Sequence, residues 1–222
     1  YPITFLVTDI ISEIYGKIDG CSSGKGGSMH LIDNSAGFSG STAIVGGTVP
    51  VGVGLAYGLK IKRKKNLCCI FIGDAVLETG VFYESLNFSI LKKLPVLFVC
   101  ENNLYSVYSP LEVRQPEGRK IYKMLEAMGI KTFFCDGNNV IDVYKISNEA
   151  VNFIKKGNGP VFIEFSTYRW LEHCGPNYDN DLGYRTTKEF ESWKKKDPIL
   201  NFEKYLIKSG FKKEEILNIE KK

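Results

Sequence analysis

The chain contains 222 residues and carries a formal net charge of +4, with 44% hydrophobic and 24% charged residues. This length allows one substantial core, and the composition is ordinary for a globular protein. The lysines are scattered or stand in short runs, which favours solvated surface over nucleic-acid binding. No apolar run approaches 18 residues, so the sequence predicts no membrane span.

Six cysteines occur without a CxxC pair or a zinc-like spacing. This usage predicts a reducing, intracellular location, either cytoplasmic or inside an organelle. The first residues include neither an initiator methionine nor a signal-peptide pattern. We therefore expect an N-terminal truncation, with the chain starting in mid-protein, and we take no targeting information from it.

The first third of the chain combines two predicted helices with a segment rich in glycine and serine. Apolar positions at helical spacing predict a helix over residues 3–16, and a second helix is predicted over residues 50–62. Four small residues of the second helix are expected to allow close packing: Gly52, Gly54, Ala56 and Gly58. Residues 20–54 hold too many glycines for a stable helix and too many apolar residues for a flexible linker. We interpret them as an ordered loop whose backbone approaches something closely, with a structural loop without ligand as the alternative.

Strands and helices then alternate regularly. The predicted strands span residues 67–72, 96–100, 131–135 and 161–165, and the predicted helices span residues 81–91, 117–128 and 140–155. Short continuous apolar strands in such alternation predict an α/β fold, a parallel sheet with helices on both faces. We expect a single domain over residues 1–222. Its last part, residues 187–222, is predicted to be a helical C-terminal extension with helices over residues 187–195 and 198–209.

Two oxygen donors follow two consecutive predicted strands. Asp74 comes directly after the strand LCCIFI, and Asn103 comes 29 residues later, after PVLFVC. Ligands of parallel sheets lie beyond the carboxyl ends of the strands, so both side chains are expected at one edge. Mg²⁺ prefers such oxygen ligands, and the helix that follows Asp74 offers N–H groups to phosphate. The pattern thus favours a metal-bridged diphosphate. The alternative is that Asp74 caps a helix and Asn103 makes a turn.

The same stretch resembles a known cofactor motif. GDAVLETGVFYESLN followed by LPVLFVCENN is similar to the thiamine-diphosphate motif, which opens with Gly-Asp-Gly and closes with Asn-Asn. GCSSGKGGSMHL, IVGGTVPVGVGLAYG and GNGPVFIEFSTYR extend the match in colinear order. Together these segments resemble the α subunit of the thiamine-diphosphate-dependent decarboxylating component of 2-oxo acid dehydrogenase complexes, of the pyruvate or acetoin dehydrogenase type. The resemblance implies a thiamine-diphosphate-binding fold.

The resemblance also implies roles for individual residues. Asp74 and Asn103 would bind Mg²⁺ through their side chains, and Tyr105 through its carbonyl oxygen. His173 would be the active-site loop histidine, which contacts the diphosphate and assists acyl transfer. Backbone groups of Ala75 and Val76 would face the diphosphate, and those of Ala43 and Val45 the aminopyrimidine. The full cofactor-binding set implied is Ala43, Val45, Gly73, Asp74, Ala75, Val76, Asn103, Tyr105 and His173.

Several positions depart from the family pattern. Ala75 stands at the third position of the motif, where the family has glycine. The alanine is harmless if this position lies in the first turn of a helix. Cys174 stands where regulated members carry a phosphorylated serine, so kinase control at this position is not expected. Trp170 and Glu172 also differ and point to a substrate other than pyruvate. An N-terminal segment that grips the diphosphate in the family has no counterpart here, and the glutamate that activates the cofactor belongs to the β subunit.

The resemblance implies an α subunit that works in an α₂β₂ heterotetramer. The assembly would decarboxylate a small 2-oxo acid oxidatively and pass the acyl group to a lipoyl acyltransferase. Cleavage of acetoin or another acyloin is a close variant. Two other hypotheses remain: a biosynthetic carboligase without a lipoyl partner, and a catalytically inert subunit that retains the fold.

Overall fold

A computed structural model of the chain describes residues 7–220. Its helices are α1 (Val7–Ile14), α2 (Thr48–Ile61), α3 (Gly80–Leu91), α4 (Leu111–Arg114), α5 (Ile121–Ala127), α6 (Val140–Lys155), α7 (Thr187–Lys194), α8 (Pro198–Lys208) and α9 (Lys213–Glu220). Its strands are β1 (Cys68–Gly73), β2 (Val96–Asn102), β3 (Tyr105–Ser106), β4 (Ser109–Pro110), β5 (Lys131–Asp136) and β6 (Val161–Ser166). Two short 3₁₀ helices span Asp74–Glu78 and Asn180–Leu182.

Four strands form one parallel sheet in the order β1-β2-β6-β5. On one face, α2, α3 and α5 cover a core that includes Val49, Phe82, Leu86, Phe98, Leu125 and Phe162. On the other face, α6 covers a smaller core that includes Leu97, Val99, Ala150, Ile154 and Ile163. The predicted α/β fold, a parallel sheet with helices on both faces, is therefore confirmed.

The edge strand β1 is buried on one face only. Ile70 and Ile72 are buried, but Phe71, between them, is 62% exposed. The continuous apolar run over residues 67–72 predicts a buried strand. For β1 this prediction is wrong on one face, because α6 packs against β2, β5 and β6. The apolar residues of the predicted helix over residues 81–91 offer Leu91 to the core, but Leu91 is exposed as well.

Only some of the small residues of α2 serve close packing. A Cβ on Gly52 would lie 2.6 Å from Ile70 Cδ1, so glycine lets α2 approach β1. Ala56 is fully buried. Gly54 and Gly58 have no described atom within 4 Å of an added Cβ, so neither packs closely within this chain and the packing role predicted for these two stays a prediction.

Other boundaries differ locally. The predicted helix over residues 117–128 begins only at Ile121, after Pro116 and after Gly118, whose φ of +72° is not helical. The β3–β4 hairpin and α9 were not predicted. Of the helix predicted over residues 3–16, α1 is observed, and residues 3–6 lie outside the described part. The division into one domain with a C-terminal extension stays a prediction.

All six cysteines lie within residues 7–220 and are free thiols. No helix in this range is long and apolar enough to cross a membrane.

Candidate functional site

The ends of β1 and β2 bring the predicted oxygen donors to one edge of the sheet. The two strands are neighbours, with Gly73 opposite Glu101. Asp74 follows β1 directly and is the first residue of the 3₁₀ helix Asp74–Glu78, which we call the Asp74–Glu78 turn. Asn103 follows β2 directly. The turn contacts both β2 and β3. The two donors therefore stand on adjacent strand ends, as the sequence predicts.

Asp74 is a buried carboxylate with one engaged oxygen. It is 1% exposed, and its Oδ2 forms an ion pair with Nη2 of Arg114. No hydrogen bond from residues 7–220 reaches Oδ1. Asp74 does not cap a helix, since the turn has no side-chain cap and its N-cap position is Gly73. The capping alternative is thus wrong, and one carboxylate oxygen stays open.

Ala75 fits the backbone at the position where the motif has glycine. It lies within the Asp74–Glu78 turn, and its φ is outside the left-handed region. An alanine there carries no steric penalty of the kind that a positive φ imposes. The expectation that Ala75 is harmless is confirmed for the backbone conformation.

The two asparagines of the motif have different partners. Asn103 Oδ1 accepts from Tyr105 N at 3.0 Å, so it does make the turn considered as an alternative. A carboxamide oxygen has two lone pairs, which leaves one for a metal. Asn102 is buried, and its Nδ2 donates to Glu164 Oε1 at 2.8 Å while its Oδ1 accepts from Leu104 N at 3.1 Å. Asn102 thereby fixes the loop that carries Asn103.

The backbone carbonyl of Tyr105 has no N–H group opposite it in the paired strand. In the β3–β4 hairpin its partner is Pro110, which has no N–H to donate. Its ring is buried, and its hydroxyl donates to the Glu189 carboxylate. Burial and this hydrogen bond raise the pKa of Tyr105. The side chain therefore anchors the strand, while the carbonyl oxygen is available as a third oxygen donor.

Glu164 is a buried carboxylate that the sequence analysis did not single out. It is 4% exposed, lies in β6 and accepts hydrogen bonds from Asn102 and from Tyr122 N, the latter at 3.0 Å. Burial raises the pKa of Glu164 despite these two donors. A charged residue inside the apolar run VFIEFS was the available signal. Its two acceptor contacts connect the loop after β2 to the start of α5.

Glu13 organises the first part of the glycine-rich loop. Its carboxylate is fully buried and accepts from the backbone N–H groups of Ser22 at 2.7 Å, Gly24 at 2.9 Å and Gly26 at 2.5 Å. A Cβ on Gly20 would lie 2.4 Å from Glu13 Oε2. The predicted close approach is therefore real, but here the loop approaches the carboxylate of its own chain.

Replacing Glu13 with Gln should loosen residues 20–26, because an amide group cannot accept three hydrogen bonds as a carboxylate does. We expect amide hydrogen exchange in this segment to become roughly tenfold faster or more.

Burial opposes the charge of Glu13, but the N–H groups of Gly26, Gly24 and Ser22 outweigh it and lower the pKa of Glu13. The stabilising effect is thus present above the ordinary value of 4.5 and is lost as the pH falls through the lowered pKa.

Exchange measured by mass spectrometry on the complete protein tests this. Glu149→Gln, at an exposed site on α6, is the matched control and should leave residues 20–26 unchanged. Equal exchange in Glu13→Gln and in the wild type would contradict the role of Glu13.

The second part of the glycine-rich loop lies against the start of α3. Gly46 is buried with a φ of +83°, and a Cβ there would lie 3.0 Å from Thr79 Oγ1. This contact places Gly46, which follows the predicted residue Val45, against Thr79, the residue directly after Glu78, and Ala43 stands three residues before Gly46. Ala43 and Val45 are both exposed, Val45 by 60%, so their side chains are not used inside the chain.

The loop after β6 is tied to the loop after β2. Arg169 Nη2 donates to Val107 O at 3.0 Å and to the Tyr184 hydroxyl at 2.8 Å. The ring of Tyr184 lies 5.3 Å from that of Tyr105, centroid to centroid. A buried ion pair between Arg185 and Asp179 holds the far end of the loop. The segment that carries His173 is thus fastened beside the Asn103–Tyr105 donors.

His173 itself is exposed and makes no hydrogen bond with the residues from 7 to 220. Its assignment as the loop histidine stays a prediction. Trp170 packs against Tyr168 and Phe190, and Glu172 accepts from Asn177 N and Nδ2. These two departures from the family pattern therefore have local structural roles within the loop.

The available ligands limit the kind of metal that this edge can hold. Across residues 7–220, no group of three or more His, Cys, Asp or Glu side chains is placed to hold a metal ion. One carboxylate oxygen, one amide oxygen and one carbonyl oxygen are hard donors, which suit Mg²⁺ with its remaining positions filled by phosphate and water. The residues present fit a metal-bridged diphosphate.

The fold is shared with a much larger enzyme. The chain superimposes on transketolase from Campylobacter jejuni subsp. jejuni NCTC 11168 with a TM-score of 0.50 and 19% sequence identity. The match covers 62% of this chain and 22% of the transketolase. At this identity the similarity concerns the fold alone.

The chain belongs to the dehydrogenase E1 component family, whose sequence pattern it matches over residues 3–222. It is 35% identical over 205 residues to the pyruvate dehydrogenase E1 component subunit alpha of Rickettsia bellii (strain RML369-C), covering 92% of this chain and 62% of that protein. It is 34% identical over 220 residues to the chloroplastic subunit alpha-3 of Arabidopsis thaliana, covering 96% and 50%. The family resemblance drawn from the motifs is confirmed. The chain spans about half to three fifths of the length of these relatives.

Proposed function

We propose that the chain is the cofactor-binding part of the α subunit of a thiamine-diphosphate-dependent 2-oxo acid dehydrogenase. The assembled enzyme decarboxylates a small, pyruvate-like 2-oxo acid oxidatively and transfers the acyl group to a lipoyl group. The observation that carries the proposal is the buried Asp74, with one open oxygen, beside Asn103 at neighbouring strand ends. Membership of the dehydrogenase E1 component family supports the interpretation of these two donors as ligands of the cofactor's metal ion.

In this proposal the chain binds the metal end of the cofactor. Asp74 Oδ1, Asn103 Oδ1 and the Tyr105 carbonyl are the Mg²⁺ ligands, and the backbone of Gly73, Ala75 and Val76 faces the diphosphate. Ala43 and Val45 approach the aminopyrimidine through their backbone. When bound, thiamine diphosphate supplies the electron sink for the loss of CO₂ from the 2-oxo acid.

His173 is proposed as the residue of this chain that acts nearest the substrate. An exposed imidazole with no internal partner is free to contact the diphosphate and to assist acyl transfer. The loop around it is held by the Arg169 and Arg185 contacts, which limits where His173 can reach.

The proposal includes partners outside the chain. A β subunit completes an α₂β₂ heterotetramer and supplies the activating glutamate, and a lipoyl acyltransferase accepts the acyl group. The names of the relatives, each a subunit alpha of an E1 component, support a companion subunit. We place the assembly in a reducing intracellular compartment, in keeping with six free cysteines.

A calorimetric titration of the complete protein, assembled with its β subunit, tests the proposal. We expect thiamine diphosphate to bind in the presence of Mg²⁺ and to bind at least about tenfold more weakly without it, because Asp74 would hold the metal and the metal would supply the positive charge that favours the diphosphate. Reductive acylation of a lipoyl domain with a panel of 2-oxo acids and acetoin then identifies the substrate. Equal affinity for thiamine diphosphate with and without Mg²⁺, or no binding in either case, would contradict the proposed site.

A further inference from the structure

Arg114 connects the two loops that carry the oxygen donors. It is the last residue of α4, and α4 is fastened to the loop after β2 because Leu111 N donates to Leu104 O at 2.8 Å. From this position its side chain reaches the Asp74–Glu78 turn after β1, and only 10% of it is exposed. The guanidinium thus contacts the Asp74 side of the proposed metal site, while α4 is attached by its backbone to the loop that carries Asn103.

Three nitrogens of the Arg114 guanidinium have separate acceptors. Nε donates to Ser109 O at 3.1 Å, within the β3–β4 hairpin. Nη1 binds Glu78 Oε1, and Nη2 binds Asp74 Oδ2. Glu78 Oε1 also accepts from Gln115 Nε2 at 3.1 Å. A planar guanidinium bound in three directions fixes the relative positions of the groups that it contacts.

We propose that Arg114 is a positioning residue for the metal site: it holds Oδ2 of Asp74 and leaves Oδ1 to the metal. The inference rests on the proposed function, since it concerns the same site. A buried carboxylate without such a partner can rotate about its terminal torsion, and only part of that range presents an oxygen to a metal. Groups that orient a metal ligand typically contribute 10- to 100-fold to metal affinity.

A competing role makes the opposite prediction. Arg114 would then be a cation that occupies Asp74 in place of the metal and has to be displaced. Removing the guanidinium would relieve competition and charge repulsion, and metal binding would become tighter. The sign of the change in metal affinity therefore separates positioning from competition, and a purely structural role predicts no change.

The experiment titrates Mn²⁺, which takes the same oxygen ligands as Mg²⁺, into the complete αβ protein in the presence of thiamine diphosphate. Bound Mn²⁺ is followed by electron paramagnetic resonance, which does not depend on turnover. We expect Arg114→Gln to weaken Mn²⁺ binding about 10- to 100-fold. Arg63→Gln removes the same charge from an exposed site just after α2, where the side chain makes no hydrogen bond with residues 7–220, and should leave the affinity unchanged.

Two further variants keep the inference testable if Arg114→Gln folds poorly. Arg114→Lys retains the charge but not the planar set of donors, so it should recover only part of the affinity. Glu78→Gln weakens the guanidinium contact from the more exposed side and should reduce affinity several-fold, in the direction of Arg114→Gln. Wild-type affinity in Arg114→Lys, or tighter Mn²⁺ binding in Arg114→Gln, overturns the positioning role.

The outcomes separate this inference from the function on which it rests. If the wild-type protein binds no Mn²⁺ with thiamine diphosphate, the proposed function fails. If the wild type binds and Arg114→Gln binds equally well, the metal site stands and the role of Arg114 falls.

Discussion

Replacing Asp74 with Asn is expected to abolish metal-dependent binding of thiamine diphosphate. The change keeps the shape of the side chain but removes the only carboxylate among the three proposed oxygen donors, and Mg²⁺ binds a neutral amide much more weakly. Since residues that merely orient a ligand contribute about 10- to 100-fold, loss of the charge of the ligand itself should weaken binding by about 100-fold or more. Calorimetry with and without Mg²⁺ on the complete αβ protein measures the effect.

The Asp74 variant should also be less stable without any metal, because Arg114 loses the charged partner of its Nη2. We expect a loss of about 1–3 kcal/mol in the free energy of unfolding. Asp136→Asn is the matched control: it makes the same change at the last residue of β5, on the opposite edge of the sheet, at an exposed side chain that accepts only from Asn138 N. Full Mg²⁺-dependent affinity in Asp74→Asn would remove Asp74 from the metal site.

The sequence was sufficient to predict the sheet and the edge at which the site lies. Apolar runs that end in polar residues identify parallel strands, and the carboxyl ends of such strands meet at one edge. For this reason Asp74 and Asn103 could be predicted to lie at the same edge, although they are far apart in the sequence. The boundaries of α3, α6 and β6 follow equally local signals. β1 could not be assigned as half-exposed, because a continuous apolar run does not reveal which faces are covered.

The contacts that hold the site were not predictable in the same way. Arg114 stands in the polar stretch RQPEGRK, and no periodicity distinguishes it from Arg119, which is exposed. Its pairing with Asp74 depends on the path of the β3–β4 hairpin, which no pattern in the sequence predicts. Glu13 poses the same problem, because its burial is recognised only once the fold has brought its N–H donors to it. Glu164 stands out as a charged residue inside an apolar run, but its partners Asn102 and Tyr122 are not predictable from the sequence.

Replacing Asp179 with Asn is expected to release the loop that carries His173. Asp179 Oδ1 pairs with Arg185, its Oδ2 accepts from the Tyr184 hydroxyl at 2.7 Å, and both charged side chains are at most 2% exposed. Removing one charge of a buried pair leaves Arg185 uncompensated, which typically costs 3–5 kcal/mol. We expect about 3 kcal/mol less in the free energy of unfolding, measured by urea denaturation of the complete protein, together with faster proteolysis of residues 171–178.

The pH dependence of this loss has a definite sign. Burial opposes the charge of Asp179, but the Tyr184 hydroxyl and Arg185 outweigh it and lower the pKa below its ordinary value of 3.8. A lowered pKa means that the stabilisation is present above pH 3.8 and is lost as the pH falls through the folded value. The stability difference between wild type and Asp179→Asn should therefore be constant near neutral pH and shrink in acid. Asp181→Asn, an exposed aspartate two residues later, should show neither effect. If both variants behave alike, the buried pair does not hold the loop, and His173 is positioned by other contacts.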